Sequence, residues 1–347
     1  MPSKKTPGAS DIEIAIICAL PLEAQAVRAI FEYSNENIEH DAPQKNPADR
    51  NVYTTGKVAH NNVVLVHMPG MGEIPAAAVA AGLIHSFERI RLALLVGICG
   101  GVPKEEPRKI MLGDVIVGKQ VVQYDFGRQY PDGFKKKSDI GNSLSRQNPE
   151  IRAFVAKLES QKDDFEKKSF AFLRDLLKKL NIGQTFGSTV LRDNLMPATL
   201  WHKHHNLDEC GTGECISAGG VCEEARDSSC EKLKCDASRL CNRRERREKP
   251  DIHFGSVASG NMVMKSGEDR DRISEQDDII AFDMEGAGVW DYLPCIVVKG
   301  VCDYADSHKS KQWQEYAAIT ATACTRVMLE QWPRTKRPEG EVGLVNS

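Results

Sequence analysis

Ile296-Val297-Val298-Lys299-Gly300-Val301-Cys302-Asp303-Tyr304-Ala305-Asp306 begins as an apolar, β-branched run and ends in a turn carrying two carboxylates. A buried strand that delivers acids at its carboxyl end is a common way for an α/β protein to build a site. Just upstream, Phe282-Asp283-Met284-Glu285-Gly286-Ala287-Gly288 repeats the plan: an apolar stretch, then acids, then glycines. The competing reading makes Asp303 and Asp306 caps for the following helix, and this stretch alone leaves both open.

Outward from these segments, strand-like and helix-like pieces alternate. Ile12 to Leu20 reads as a strand, apolar on both faces towards its end and therefore central in a sheet. Pro21 then opens a helix over 22–31, with Glu23 in the strand-to-helix turn. Val52 to Val58 and Asn62 to Met68 read as a hairpin, followed by an alanine-rich helix over 74–87. Leu92 to Gly101 is a buried strand running into a glycine turn. Its glycines are too close together for a dinucleotide fingerprint, and either a tight turn or close approach of backbone to a ligand would require them. Two further strands are expected over 113–118 and 121–127, then a polar loop over 127–150, and one or two amphipathic helices over 151–180. Ile252 to Ser259 is another strand, and a helix over 311–332 closes the pattern. Residues 1–10 read as a flexible lead and 333–347 as a polar tail. Together these pieces predict a single α/β domain over 11–332, three layers with a central mixed sheet flanked by helices.

The 347 residues balance 46 Lys+Arg against 49 Asp+Glu, a net charge of −3, so neither nucleic acid nor an anionic membrane is the expected partner. No apolar run approaches the roughly 20 residues of a membrane helix. The polar N-terminus lacks the apolar centre of a secretory signal, which predicts a cytoplasmic chain.

Six of the 11 cysteines crowd one polar segment that reads as an insertion at about 195–250. It also carries His202, His204 and His205, then Arg243-Arg244-Glu245-Arg246-Arg247, a solvated helix face. His202 and His204 with Cys210 and Cys215 are candidate zinc ligands, although no pair has the two-residue spacing of ordinary finger sites. Disulfides and a loosely packed excursion are the alternatives, and the zinc and disulfide readings stay open against each other.

Four separated pieces share an order and spacing: Ala19-Leu20-Pro21-Leu22-Glu23-Ala24, Val96-Gly97-Ile98-Cys99-Gly100-Gly101, Asp283-Met284-Glu285-Gly286-Ala287-Gly288, and Cys302-Asp303-Tyr304-Ala305-Asp306. The set resembles the nucleoside phosphorylase/nucleosidase superfamily, with methylthioadenosine/S-adenosylhomocysteine nucleosidase among its members. Met68-Pro69-Gly70-Met71-Gly72, Gln123 to Gln129 and the Cys/His insert resemble the phosphorylase-like domains of filamentous fungi, which often begin larger receptors.

The resemblance implies a site. Asp303 matches the acid that protonates the leaving base, a step general acid catalysis typically speeds about 10²–10⁴-fold. Glu285 matches the residue holding the ribose hydroxyls, with Met284 beneath the sugar and Asp283 where bacterial nucleosidases have another acid. Gly97, Ile98, Cys99 and Gly100 form the glycine turn. Asn261, Val263 and Met264 follow the base-site strand, and Val263 stands where the family has a stacking aromatic. Phosphorylases of this fold place arginines and a hydroxyl where this chain has Glu23, Leu95 and Ile98. Glu23 instead matches the residue that activates water in the nucleosidases. The resemblance therefore implies hydrolysis of purine nucleosides or nucleotides, without a cofactor, in a homo-oligomer. A phosphate-dependent phosphorylase and a weakly catalytic ligand sensor of a fungal immune-type receptor are the alternatives. Lys299, inside an apolar strand, is either an edge residue or a partner for Asp303 or substrate.

Overall fold

The structure, a computed structural model, describes residues 8–34, 45–104, 109–137, 144, 146–182, 193–206, 209–217, 219–241 and 249–334. Most of the expected lead and tail, and the Arg/Glu run at 243–247, lie outside the described residues.

The strands are β1 (Ile14–Cys18), β2 (Tyr33–Ser34), β3 (Val52–Val58), β4 (Asn61–His67), β5 (Leu92–Gly101), β6 (Val115–Gln123), β7 (Gly127–Tyr130), β8 (Gly133–Lys136), β9 (Ile252–Ser259), β10 (Ile279–Asp283) and β11 (Cys295–Asp303). Nine of them form one mixed sheet in the order β10-β9-β6-β11-β5-β1-β4-β3-β2. The sheet also bends back on itself. β10 pairs antiparallel with β5 through Ala281–Gly101 and Phe282–Gly100. Strands β5, β11, β6, β9 and β10 therefore close into a ring, from which β1, β4, β3 and β2 extend. β1, β5, β10 and β11 are buried along nearly their whole length, which is why they read as continuous apolar runs rather than alternating ones.

The helices are α1 (Pro21–Arg28), α2 (Glu73–Ser86), α3 (Pro149–Ser160), α4 (Lys162–Lys179), α5 (Glu223–Asp227), α6 (Gly267–Asp277), α7 (Gly286–Trp290) and α8 (Gln314–Gln331). α8 packs on β11 and β5 and against α4 and α1, while α2 packs on α7. Small residues let α8 approach closely: a Cβ at Gly300 would lie 2.0 Å from the Ala317 carbonyl oxygen.

Several expectations change. The strands expected at 113–118 and 121–127 are one strand, β6, whose register against β9 shifts between Gly118 and Gln120, where Lys119 and Gln120 turn outward. The expected loop at 127–150 holds the β7–β8 hairpin. Residues 151–180 divide into two helices. Asn148 caps the first by accepting from Ile151 N–H at 2.9 Å, and Gln161 leaves helical geometry between them. Residues 9–11 form a short 3-10 turn. The insertion contains α5 and two 3-10 turns around a small cluster of Cys210, Cys215, Cys222, Ala225 and Leu233.

Candidate active site

The carboxyl ends of β1, β5, β9, β10 and β11 gather the expected residues. At the end of β1, Pro21 starts α1 with its fixed φ, and Glu23 sits at the third helical position. Its side chain turns back into the protein. Oε2 accepts from Ala19 N–H and Leu20 N–H, both at 2.9 Å, and Oε1 accepts from Ile98 N–H at 2.9 Å. Glu23 is only 2% exposed. Burial raises its carboxyl above the usual range, while the charge of Lys299 and the backbone N–H groups pull the other way. Two elements distant in sequence are thus joined by one carboxylate. Gly97 makes the fit possible: a Cβ there would lie 2.1 Å from Glu23 Oε1.

Lys299 occupies the register position beside Gly97 on β11. Its ammonium is buried and lies 3.0 Å from Glu285 Oε2 and 3.9 Å from Asp283 Oδ2. Burial alone would lower its pKa, but Glu285, Glu23 and Asp283 together more than reverse that, so Lys299 is held as the cation. It is neither an edge residue nor a partner of Asp303. Asp283 also accepts from Gly286 N–H and is pushed up to about 6, chiefly by burial, with Lys299 opposing and Glu285 adding. Glu285 Oε1 accepts a long bond of 3.4 Å from Gly72 N–H, which ties the site to the start of α2.

Asp303 ends β11 and is 5% exposed. Its Oδ1 accepts from Ala305 N–H at 2.9 Å, and its Oδ2 lies 3.3 Å from the Cys302 thiol and 3.2 Å from Lys309 Nζ. The turn it heads is strained: Ala305 has φ +51°, a conformation that costs a non-glycine residue of order 1 kcal/mol or more. Arg270, 2% exposed, braces the turn by donating to Tyr304 O at 2.9 Å and standing 3.8 Å from Asp306 Oδ2. Asp306 itself accepts from His308 N–H at 2.9 Å. It therefore caps a local turn rather than the following helix, which starts only at Gln314.

On the opposite rim, Asn261 N–H donates to Asp125 Oδ2 at 2.7 Å, Asn261 Oδ1 accepts from Glu73 N–H at 3.0 Å, and Gln123 Nε2 donates to Glu73 Oε2 at 2.9 Å. Burial and the Asp125 charge raise the Glu73 carboxyl. Val263 is 47% exposed, Met264 and Met284 are half-buried, and Cys99 and Gly100 are buried. Ile98 N–H binds Glu23, the charge of Glu23 acts on Lys299, Lys299 pairs with Glu285, and Glu285 accepts from Gly72 N–H, while Asp303 lies close over Gly100 and Asn261 over Gly72. Lys299, Lys309, Glu73 and Gly72 join the residues expected from sequence. Two surface clefts among the described residues lie elsewhere, one bordered by Glu159, Lys162 and Gln331 and the other by Asp11, Asn61 and Arg334.

His202, His204, Cys210 and Cys215 do not form one set. Donor atoms of His202, Cys235 and His308 lie within 4.8 Å of one another, and those of Cys210, Cys215 and Cys222 form a separate group. His204 is buried, with neither ring nitrogen partnered among the described residues. His308 could not be found by spacing, since it stands more than a hundred residues from His202.

Residues 13–176 match the phosphorylase superfamily. A nucleotide-binding leucine-rich repeat (NLR)-like protein of Hyaloscypha variabilis is 27% identical over 326 residues, covering 92% of this chain and 29% of that protein. The 5'-methylthioadenosine/S-adenosylhomocysteine nucleosidase of Mycobacterium bovis is 28% identical over 116 residues, 33% of this chain and 40% of the nucleosidase. The chain thus spans well under half the length of either relative. Among solved structures, the Neisseria meningitidis 5'-methylthioadenosine/S-adenosylhomocysteine nucleosidase in complex with methylthio-immucillin-A aligns at TM-score 0.52 and 14% identity, over 91% of this chain and 98% of that one. The futalosine hydrolase of Helicobacter pylori aligns at TM-score 0.53 and 15% identity, over 92% and 98%. The likeness to these two solved structures establishes the fold, an α/β architecture that the chain shares with them.

Proposed function

We propose that this chain, whose residues 13–176 match the phosphorylase superfamily, is a purine nucleosidase that hydrolyses the N-glycosidic bond of adenosine-type nucleosides or nucleotides. Water attacks the anomeric carbon, its proton passing to Glu23. The C–N bond breaks with its electron pair going to the purine, and Asp303 gives a proton to a ring nitrogen of the departing base. Glu285 holds the ribose hydroxyls, and Lys299, 3.0 Å from Oε2, holds its side chain in place. Lys309, 3.2 Å from Asp303, stabilises the carboxylate left after the proton has gone. The division of labour between two carboxylates is that of glycoside hydrolysis generally.

The observation that carries hydrolysis over phosphorolysis is Glu23 beneath the Gly97–Ile98 turn. A phosphate bound there would need cationic, bidentate partners. Among the described residues, the acids Glu23, Asp283, Glu285 and Asp303 stand around it with two ammonium groups, Lys299 and Lys309, each already paired with an acid. Arg128 lies exposed on β7. A site of this sign favours neutral water over a phosphate dianion.

A second reading follows from the NLR-like relative, whose similarity extends over 92% of this chain: a ligand-sensing module of a receptor. The retained pair of Glu23 and Asp303 favours the enzyme, since a sensor needs no base for water. The two separate on incubation with adenosine, inosine, guanosine, methylthioadenosine, ATP and uridine. Release of free purine base, with uridine untouched, is the expected result. No turnover of any of them at high protein concentration overturns the enzyme reading.

A further inference from the structure

The insertion carries chemistry that the proposed reaction does not use. His202 Nε2 lies 2.8 Å from the Ser228 carbonyl oxygen. A carbonyl only accepts, so the proton is on Nε2 and the Nδ1 lone pair points the other way. Nδ1 faces two thiols, Cys235 Sγ at 3.4 Å and Cys230 Sγ at 3.7 Å. The ring of His308 stands edge-on to that of His202 with centroids 5.2 Å apart, and both His308 nitrogens are buried without a hydrogen-bond partner among the described residues. A buried polar atom left unpaired destabilises the fold. Donor atoms of His202, Cys235 and His308 lie within 4.8 Å of one another, and Cys230 Sγ adds a second thiol beside His202 Nδ1 and 4.0 Å from the His308 carbonyl oxygen.

We propose that His202, Cys230, Cys235 and His308 bind one zinc ion. Tetrahedral zinc with bonds of about 2.3 Å to sulfur and about 2.05 Å to nitrogen sets those atoms roughly 3.6 Å apart. The separations of 3.4 and 3.7 Å are edges of such a tetrahedron. Two thiolates and two imidazoles suit zinc and not the hard, oxygen-seeking cations. The Ser228 carbonyl is the outer partner that orients a metal-bound histidine. Four protein donors fill the coordination shell, so the ion is structural.

Its position gives it a consequence. His308 lies five residues past Asp303, in the same strained turn. Its N–H donates to Asp306, the neighbouring Ser307 Oγ accepts from His202 N–H at 3.2 Å, and Lys309 pairs with Asp303. The ion fastens the insertion to the turn that bears the proposed acid, and these four ligands act as positioning residues.

The test measures zinc per chain by plasma mass spectrometry on the full chain purified without chelators. Cys235→Ser and His308→Ala each lower the content by one equivalent, while Cys241→Ser, outside the set, leaves it unchanged. The separate thiols Cys210, Cys215 and Cys222 stay intact throughout. Should Cys235→Ser fail to fold, Co²⁺ added to the stripped native chain and to His308→Ala gives a difference spectrum with the visible bands and thiolate charge transfer of a tetrahedral sulfur–nitrogen site. None of these readouts needs turnover, so the zinc site and the proposed reaction fail separately. Unchanged zinc in both variants, a flat cobalt difference spectrum, or a Cys230–Cys235 disulfide in the native chain overturns the proposal.

Discussion

Glu23 Oε1 stands 2.1 Å from the point that a Cβ on residue 97 would occupy, so the carboxylate of α1 and the bare backbone of β5 share one small volume. Three backbone N–H groups hold that carboxylate in place. Gly97→Ala must therefore displace either the carboxylate or the strand. With Glu23 as the proposed base, activity falls about 10²-fold or more, and overpacking costs about 1–3 kcal/mol in urea unfolding. Adding Glu23→Ala to Gly97→Ala restores part of the stability but none of the activity, because the methyl group enters the vacated space. Strictly additive losses in stability would show that the two residues do not compete for it.

Asp303→Asn removes the proposed proton donor but keeps a side chain that can accept from Ala305 N–H. The turnover number on purine nucleosides should drop about 10²–10⁴-fold, with little change in melting temperature. A variant that turns over at the native rate would remove Asp303 from the chemistry.

Asp283 makes stability depend on pH in a defined direction. Its carboxyl is raised from 3.8 to about 6 by burial above all, so ionising it costs the folded state more than the unfolded one. Stability fully present below the unfolded value is lost as pH rises through about 6. Between pH 4.5 and 7.5 that loss is about 2 kcal/mol. In Asp283→Asn this component vanishes, so urea unfolding at the two pH values should show the variant gaining on the native chain by that amount. An identical pH dependence in both proteins would contradict the assignment.

Lys299 balances buried acids, and removing it leaves them without a counter-charge. Lys299→Met should destabilise by about 3–5 kcal/mol, as expected when one partner of a buried ion pair is deleted. A loss under 1 kcal/mol by chemical unfolding would contradict a stabilising buried pair between Lys299 and Glu285.

The sequence is readable where strands are buried on both faces. β1, β5 and β11 appear as apolar runs, and the glycines and acids at their carboxyl ends follow from how parallel strands present a site. Where burial is absent the signal fails. Every residue of β7 is exposed, so that hairpin has no apolar alternation to betray it. α6 buries only Gly267, Arg270, Ile273 and Ser274, too few apolar side chains to mark a helical face. Long-range geometry is likewise invisible. The pairing of β10 with β5, the ion pair of Lys299 with Glu285, and the meeting of His202 with His308 each depend on how the sheet closes.

The most direct measurement is the identity of the sugar product. The purified chain is incubated with adenosine, once in phosphate-free buffer and once in saturating phosphate, and both mixtures are chromatographed. Hydrolysis through Glu23 predicts adenine and free ribose at equal rates in the two, with no ribose 1-phosphate. Ribose 1-phosphate formed only when phosphate is present, with no cleavage in its absence, would contradict it.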